Sequence, residues 1–277
     1  INQTCERSRG SARHGSCGLG INETVTRCLG NSQNATRVED LLRPQQLRKK
    51  LAFLKQTWFY ARLEELSISD EVSISDDDLD EVLECFLLDV EAMLDSVTIT
   101  STPPVRNRII FEGAQGLLLD EARIDLFPHV TRSRPGLANV VHLADSCGIE
   151  QLTVTYVTRS YLTRHGAGPL PGESTLNFAD LTNVENAFQG RLRFAPLDLG
   201  RLKDTIEADL KLVAGKNVMA NIALTCLDQH DISPSTDLEV KYMSYGPART
   251  DVEHRIGRRS FLASKKTSYS SRFAIAK

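Results

Sequence analysis

The apolar residues of this chain change their spacing near residue 100. From Pro44 to about Leu66, "PQQLRKKLAFLKQTWFYARLEEL" places them three and four apart. That is the period of a helix with one buried face, and proline stands in the first turn, where its missing amide hydrogen is tolerated. "SISDEVSISDDDLDE" reads as a loop leading into a second helix. Ser75 with Asp78 is a candidate cap there, and the acids suit the positive helix end; a metal site among them is the alternative. The helix runs on through "LDEVLECFLLDVEAMLDSV", with Leu79, Val82, Leu83, Phe86, Leu87, Val90 and Leu94 expected to face a core. Beyond "TSTPPVRN", an expected hinge, the apolar runs become short and β-branched: "RIIF", "QLTVTYV", "NVMANIALT" and "LEVKYM". Bounded by turns, they read as mostly buried strands, with a helix from about Asp198 to Val213 between two of them. Strand–helix–strand order predicts an α/β fold with a mostly parallel central sheet flanked by helices. Residues 1–37, rich in Gly, Ser, Asn and Arg, read as irregular structure around a turn.

Composition narrows the partners more than the fold. With 277 residues, 41% hydrophobic and 25% charged, the chain is an ordinary globular protein of one sizeable domain or two small ones. A formal net charge of −3 argues against a general nucleic-acid binder while leaving room for local basic pockets that take phosphates. No run approaches the roughly 18 apolar residues of a membrane helix, and "INQTCERSRG" lacks the apolar core of a signal peptide. No membrane partner and a cytoplasmic location are expected. Six scattered cysteines without a CxxC pair or zinc spacing read as reduced thiols.

In parallel sheets, ligands collect at the carboxyl ends of strands. Behind "RIIF", "FEGAQGLLLD" sets Gln115 between Gly113 and Gly116; glycine serves a plain turn or the close approach of a ligand. Behind "QLTVTYV" comes "TRSYLTRHGAGPLPGE", with Arg164 and His165 ahead of a glycine- and proline-rich run. "CLDQH" follows the third run and offers Asp228; "SYGPART" follows the fourth. Four such loops in succession point to a nucleotide-sized ligand held by backbone amides and a few aimed side chains.

"GSCGLGINET", "FEGAQGLLLD", "FPHVTRS", "SYLTRHGAGPLPGE", "QGRLRFAPLD", "LTCLD" and "SYGPART" occur in the order found in adenylosuccinate synthetase, and the chain resembles the shorter forms of that family over about residues 13–251. The resemblance implies a P-loop NTPase-like α/β fold and a ligase that joins aspartate to the 6-position of IMP, using GTP with Mg²⁺. The purine oxygen would be phosphorylated first and the aspartate amine would then displace phosphate. It further implies loops distant in the chain converging on one purine-monophosphate cavity. Gln115 would hydrogen-bond the purine, with Gly113 and Gly116 giving it room. Thr131 and the loop Gly15, Ser16 and Gly18 would hold the 5′-phosphate. Arg164, His165 and Gly166 would line the ribose and base. Gln189 and Gly190 would lie near the aspartate, with Arg191 and Arg193 on carboxylates, ribose hydroxyl or transferred phosphoryl. Asp228 would accept from the guanine, and Ser244, Gly246 and Pro247 would close over it. Gln115 and Arg193 are the candidates for direct catalytic roles; no metal ligand is assigned.

The departures are specific. Cys226 stands where many members have lysine, Gln189 replaces a threonine, and "GRLRF" thins a denser arginine run. Arg132 and Arg134 add positive charge after Thr131. The family's amino-terminal phosphate loop and its catalytic aspartate and histidine have no counterpart here, and Lys216 in "AGKN" lacks the glycines of a P-loop. The expectation is a fragment of a longer enzyme, given the start at Ile1, or a truncated relative. The Mg²⁺ ligands would then lie in the absent segment, and the chain alone would be inactive. Division is expected into 1–107 (glycine-rich loop and helices), 108–254 (sheet and nucleotide sites) and a basic tail, 255–277. A homodimer covering an exposed sheet edge is expected, with Arg27 as the crossing arginine. Two alternatives stand beside IMP ligation. One is a ligase for another purine monophosphate such as dGMP, and for either ligase GTP or ATP is the expected phosphoryl donor. The other is a non-catalytic purine-nucleotide-binding protein.

Overall fold

The computed structural model describes residues 1–101, 109–213, 215–233 and 237–255. The expected hinge beyond residue 101 and the basic tail beyond 255 lie outside the described residues. Contacts divide the chain into two units, Ile1–Pro103 and Pro104–Lys277.

The first unit is helical from its start, which corrects the expectation of irregular structure over residues 1–37. Helix α1 spans Asn2–Ser8 and α2 spans Ile21–Gly30. Helix α2 is amphipathic, and an ion pair anchors it. Glu23 is buried, and its carboxylate receives both Nε (2.7 Å) and a terminal nitrogen (3.2 Å) of Arg62. A fork-on-carboxylate pair of this kind ties the helix to a residue 39 positions further along the chain. The segment read as one helix over 44–66 is α3 (Pro44–Leu54), a wider π turn (Lys55–Phe59) and α4 (Tyr60–Glu65). Helix α5 comes next at Asp76–Ser96, capped as expected. Ser75 Oγ accepts from the Asp78 amide at 3.0 Å, and the Asp78 carboxylate accepts from the Ser75 amide at 3.2 Å. Leu47 and Leu51 of α3 pack on Leu87 and Val90 of α5, with Leu83 and Leu94 at the margin. Val82 and Phe86, expected in that face, are exposed. The contact uses only the narrow stripe 83, 87, 90, 94, as a two-helix seam does.

In the second unit α6 (Leu137–Ser146) leads into β1 (Gln151–Arg159), β2 (Tyr161–His165), β3 (Leu192–Pro196), α7 (Leu199–Leu210), β4 (Asn217–Thr225), β5 (Val240–Ser244) and β6 (Val252–His254). The main sheet has the order β1-β4-β5-β6. β1 and β4 run parallel in register from Gln151↔Asn217 to Arg159↔Thr225, β4 and β5 are parallel, and β6 is antiparallel to β5. The mixed α/β fold with a mostly parallel sheet is therefore present. Alternate residues Leu152, Val154 and Tyr156 of β1, with Val218 and Ile222 of β4, pack against α6 and α7 through Leu137, Val140, Ala144 and Ile206. The alternate positions Thr155 and Asn221 are cross-strand partners joined by a 3.0 Å hydrogen bond. "RIIF" is a correction: residues 109–111 belong to no described strand. Ile109 and Phe111 still pack on the core while Ile110 is exposed. The period of two marked burial, but no ladder formed.

Candidate functional site: loops at the strand ends

The parallel strands β1 and β4 end side by side, and Ser160 fastens the junction beyond them. Its amide donates to Thr225 O (2.9 Å), its hydroxyl donates to Cys226 O (3.0 Å), and its carbonyl lies 3.2 Å from His230 Nδ1. The chain thus leaves the main sheet at a fully buried residue and enters the hairpin β2–β3 one residue later. Around that junction Tyr161 stacks on Phe178 (4.1 Å) and donates to Gln229 Oε1 (2.9 Å); burial pushes its hydroxyl up to about 12. Arg159 pairs with Asp180 at 2.8 Å. Burial alone would raise the Asp180 carboxyl, but hydrogen bonds from Thr182, Asn183 and Arg159 hold it well below the usual range.

Two adjacent strand ends carry the expected guanine loops. Cys226 adopts the left-handed backbone (φ 62°), and the Leu227 amide donates to Ser244 O at 3.1 Å. This joins the Asp228 turn to the loop of Ser244, Gly246 and Pro247. Asp228 is exposed and engages no side chain among the described residues. The hydroxyl of Ser244 donates to Gly246 O (2.8 Å), and any side chain at Gly246 would collide with the Asp251 carboxylate. That carboxylate takes the Ala248 amide at 2.8 Å, so Asp251 shapes the loop.

The hairpin sets Arg164 directly opposite Arg193, and His165 opposite Leu192. Arg164 donates from Nε to Ala167 O (2.9 Å) and from a terminal nitrogen to His129 O (2.7 Å). Arg193 donates to Gly166 O (2.9 Å) and Gly168 O (2.7 Å) and pairs with Glu173 (2.6 Å). Two guanidinium forks therefore close on one glycine turn. Burial, followed by the charges of Arg193 and Arg201, lowers Arg164 from the usual arginine value. His165 Nε2 lies 2.8 Å from Gly190 O, which brings the 186–190 loop to the same hairpin. Arg191 is exposed and unengaged among the described residues.

Gln115 occupies the left-handed region (φ 75°) and is exposed. The space at Gly113 is already taken: a side chain there would meet the carbonyl oxygen of Pro135, while Gly116 faces nothing within 4 Å. The expected role of Gly113, making room for a purine, thus gives way to close backbone packing. The Thr131 amide donates to Leu119 O at 2.8 Å, so the 111–121 and 129–136 segments lie together. Arg132 and Arg134 are offset by Glu121 (3.6 Å) and Asp120 (2.9 Å). A continuous path runs from Gly113–Pro135 through Thr131 and His129 to Arg164, the glycine turn, Arg193 and Gly190.

Gly15, Ser16 and Gly18 lie in the first unit. The buried carboxylate of Glu6 accepts the amides of Gly15 (2.8 Å) and Ser16 (3.2 Å), while Ser16 Oγ accepts the Gly18 amide (3.1 Å). The amides expected to meet a phosphate already hold an internal anion. A cavity of about 280 Å³ in this unit has Gly18, Glu23, Thr24, Arg27 and Trp58 on its walls. Arg27 lies over the Trp58 ring at 5.6 Å. Sequence reasoning missed the roles of Glu6, His129, Glu173, Asn186 and Asp251, which are set by distant or backbone partners. Glu6, Asn186 and Asp251 accept backbone amides, His129 offers its carbonyl to Arg164, and Glu173 pairs with Arg193.

A family model described as adenylosuccinate synthetase matches residues 1–255. The chain is similar to adenylosuccinate synthetase of Neisseria meningitidis serogroup C, with 28% identity over 262 residues covering 91% of this chain and 56% of that protein. It is similar to the Dichelobacter nodosus enzyme of the same name, with 31% identity over 179 residues covering 62% and 39%. Its fold is similar to that of fully ligated adenylosuccinate synthetase from Plasmodium falciparum, at a TM-score of 0.51 and 18% identity, covering 82% of this chain and 51% of that one. The chain spans about half the length of the curated relatives it matches.

Proposed function

Since the chain belongs to the adenylosuccinate synthetase family, we propose that it carries substrate-binding loops of a purine-nucleotide ligase of AMP biosynthesis, joining aspartate to C6 of IMP with GTP hydrolysis. The observation that carries this reading is the facing pair Arg164 and Arg193, with Arg201 near enough to repel. With Glu173 offsetting Arg193 alone, the hairpin keeps a net positive charge that favours an anionic ligand.

In this reading Gln115 and Thr131 receive the purine monophosphate, with Arg164, His165 and Gly166 beside its ribose. Gln189, Gly190 and Arg191 take the aspartate. Arg193 supports the glycine turn between the two and supplies charge to the transferred phosphoryl. Asp228, Ser244, Gly246 and Pro247 receive the guanine. The purine 6-oxygen takes the γ-phosphoryl of GTP as the bond to the bridging oxygen breaks, GDP leaves and N1 gives up its proton. The aspartate amine then forms the C6–N bond as C6–O breaks, phosphate leaves and the amine loses its proton. The chain's part is to orient the nucleophile and clamp phosphoryl charge. The described residues include no cluster of three or more His, Cys, Asp or Glu able to hold a metal. Mg²⁺ accompanying GTP is part of the same proposal, and it would supply charge to the transferred phosphoryl. A homodimer is part of the same proposal.

The test is calorimetric titration of the complete protein with IMP, dGMP, GTP and ATP, followed by product formation with aspartate. Adenylosuccinate formed from IMP and GTP is expected. Product from dGMP alone would replace the substrate, and nucleotide binding without any product would leave a binding protein.

A further inference from the structure

The loop that carries Gln189 and Arg191 is organised by one side chain that no motif singles out. Asn186 Oδ1 accepts the amides of Phe188 (3.0 Å) and Gln189 (2.9 Å). Its backbone exchanges both hydrogen bonds with Gly190, at 3.2 and 2.8 Å, and Gly190 turns with φ 71°. Accepting two amides fixes which end of the Asn186 amide points inward, so Nδ2 points outward and reaches Gln189 Oε1 at 3.4 Å. Nδ2 also lies 3.5 Å from His165 Nε2. That nitrogen is 2.8 Å from Gly190 O and must carry its hydrogen there, so the two donors abut without pairing. The turn is closed from inside by Asn186 and from the hairpin by His165. Arg191, one residue beyond Gly190, is left exposed at its exit.

We propose that Asn186 is the positioning residue of the amino-acid loop. It consumes the turn's own amides so that the substrate's carboxylates are read by the Gln189 side chain and the Arg191 guanidinium. An acceptor that satisfies consecutive amides holds a turn as an Asx motif does. Without it the amides of Phe188 and Gln189 turn to water, and the two recognition side chains lose their fixed spacing. The amino-acid assignment rests on the ligase reading; the folding of the turn does not.

Two measurements on the complete protein separate these. Hydrogen exchange at Phe188 and Gln189, with no substrate present, should accelerate in Asn186→Ala and stay near wild type in Asn186→Asp, which keeps the accepting oxygen. In steady-state kinetics Asn186→Ala should raise KM for aspartate roughly tenfold, the scale of one or two net hydrogen bonds. KM for IMP and kcat should change little, and Asn186→Asp should restore most of the loss. Unchanged exchange in Asn186→Ala overturns the proposal whatever the activity. Faster exchange with equal rises in both KM values, or a fall in kcat alone, also overturns it, because that is what general loosening would do. Accelerated exchange in a protein that makes no product upholds Asn186 as the organiser of the turn and defeats the ligase reading instead.

Discussion

Gly113 and Arg193 show how single residues are constrained here by backbone oxygen atoms. Any side chain at Gly113 would press on Pro135 O, a neighbour that cannot rotate away. Gly113→Ala should destabilise the second unit by about 1–3 kcal/mol, the usual range for overpacking a fitted contact, read as a lower denaturant midpoint at unchanged slope. Arg193 reaches two carbonyls and a carboxylate with one planar fork. Lysine keeps the charge but cannot span those acceptors. Arg193→Lys should therefore reduce ligation by roughly an order of magnitude, about what one charge-assisted hydrogen bond contributes, while nucleotide binding measured by calorimetry falls less. An unaltered rate would show that the fork is decorative.

At the level of elements, two helices are started by groups of different origin. Helix α5 is capped from its own sequence by Ser75 and Asp78, and Ser75→Ala should cost about 1 kcal/mol, seen as earlier loss of helical circular dichroism on heating. Helix α6 is capped from elsewhere: the Leu137 amide donates to Asp209 of α7 (2.9 Å), whose other oxygen takes the Tyr156 hydroxyl (2.9 Å). Burial outweighs those two hydrogen bonds and pushes the Asp209 carboxyl above its ordinary value. A raised folded-state value means its contribution to stability is complete below the unfolded carboxylate range. That contribution is lost as pH rises through the raised value. Asp209→Asn retains an accepting oxygen and does not ionise. Its stability relative to the parent should therefore improve from about pH 4 toward neutrality, measured by chemical unfolding at several pH values. A difference that does not vary with pH would refute the buried-carboxylate account.

For the whole molecule, the consequence is linkage between binding and stability. A ligand that binds the folded chain alone stabilises it by about 2.7 kcal/mol at a hundredfold excess over Kd. IMP and GTP should each raise the thermal midpoint, and a pyrimidine monophosphate should not. Loss of the IMP effect in Arg164→Ala would locate it at the hairpin, and equal shifts from every phosphate would mean charge alone is recognised. Among the described residues no helix is long and apolar enough to cross a membrane.

Local patterns carried the three strand runs, the α5 cap and the helix behind Asp198. Short β-branched runs marked the strands, although the β1–β4 ladder joins residues 66 apart, while the cap and the helix rest on contacts within a few residues of sequence. The ordered motifs carried the family for the same reason: they are local strings. The rest was decided by distant partners. Glu23 ties α2 to Arg62, and Gly113 is required by Pro135. The missed pair β2–β3 joins Tyr161 to Pro196 and His165 to Leu192 across some thirty residues, and Ser160 at its entry is pinned to Cys226, just past β4 and 66 residues further on. Ion pairs and backbone contacts formed across such separations leave no period to read, and they are what gives the loops of the candidate site their shape.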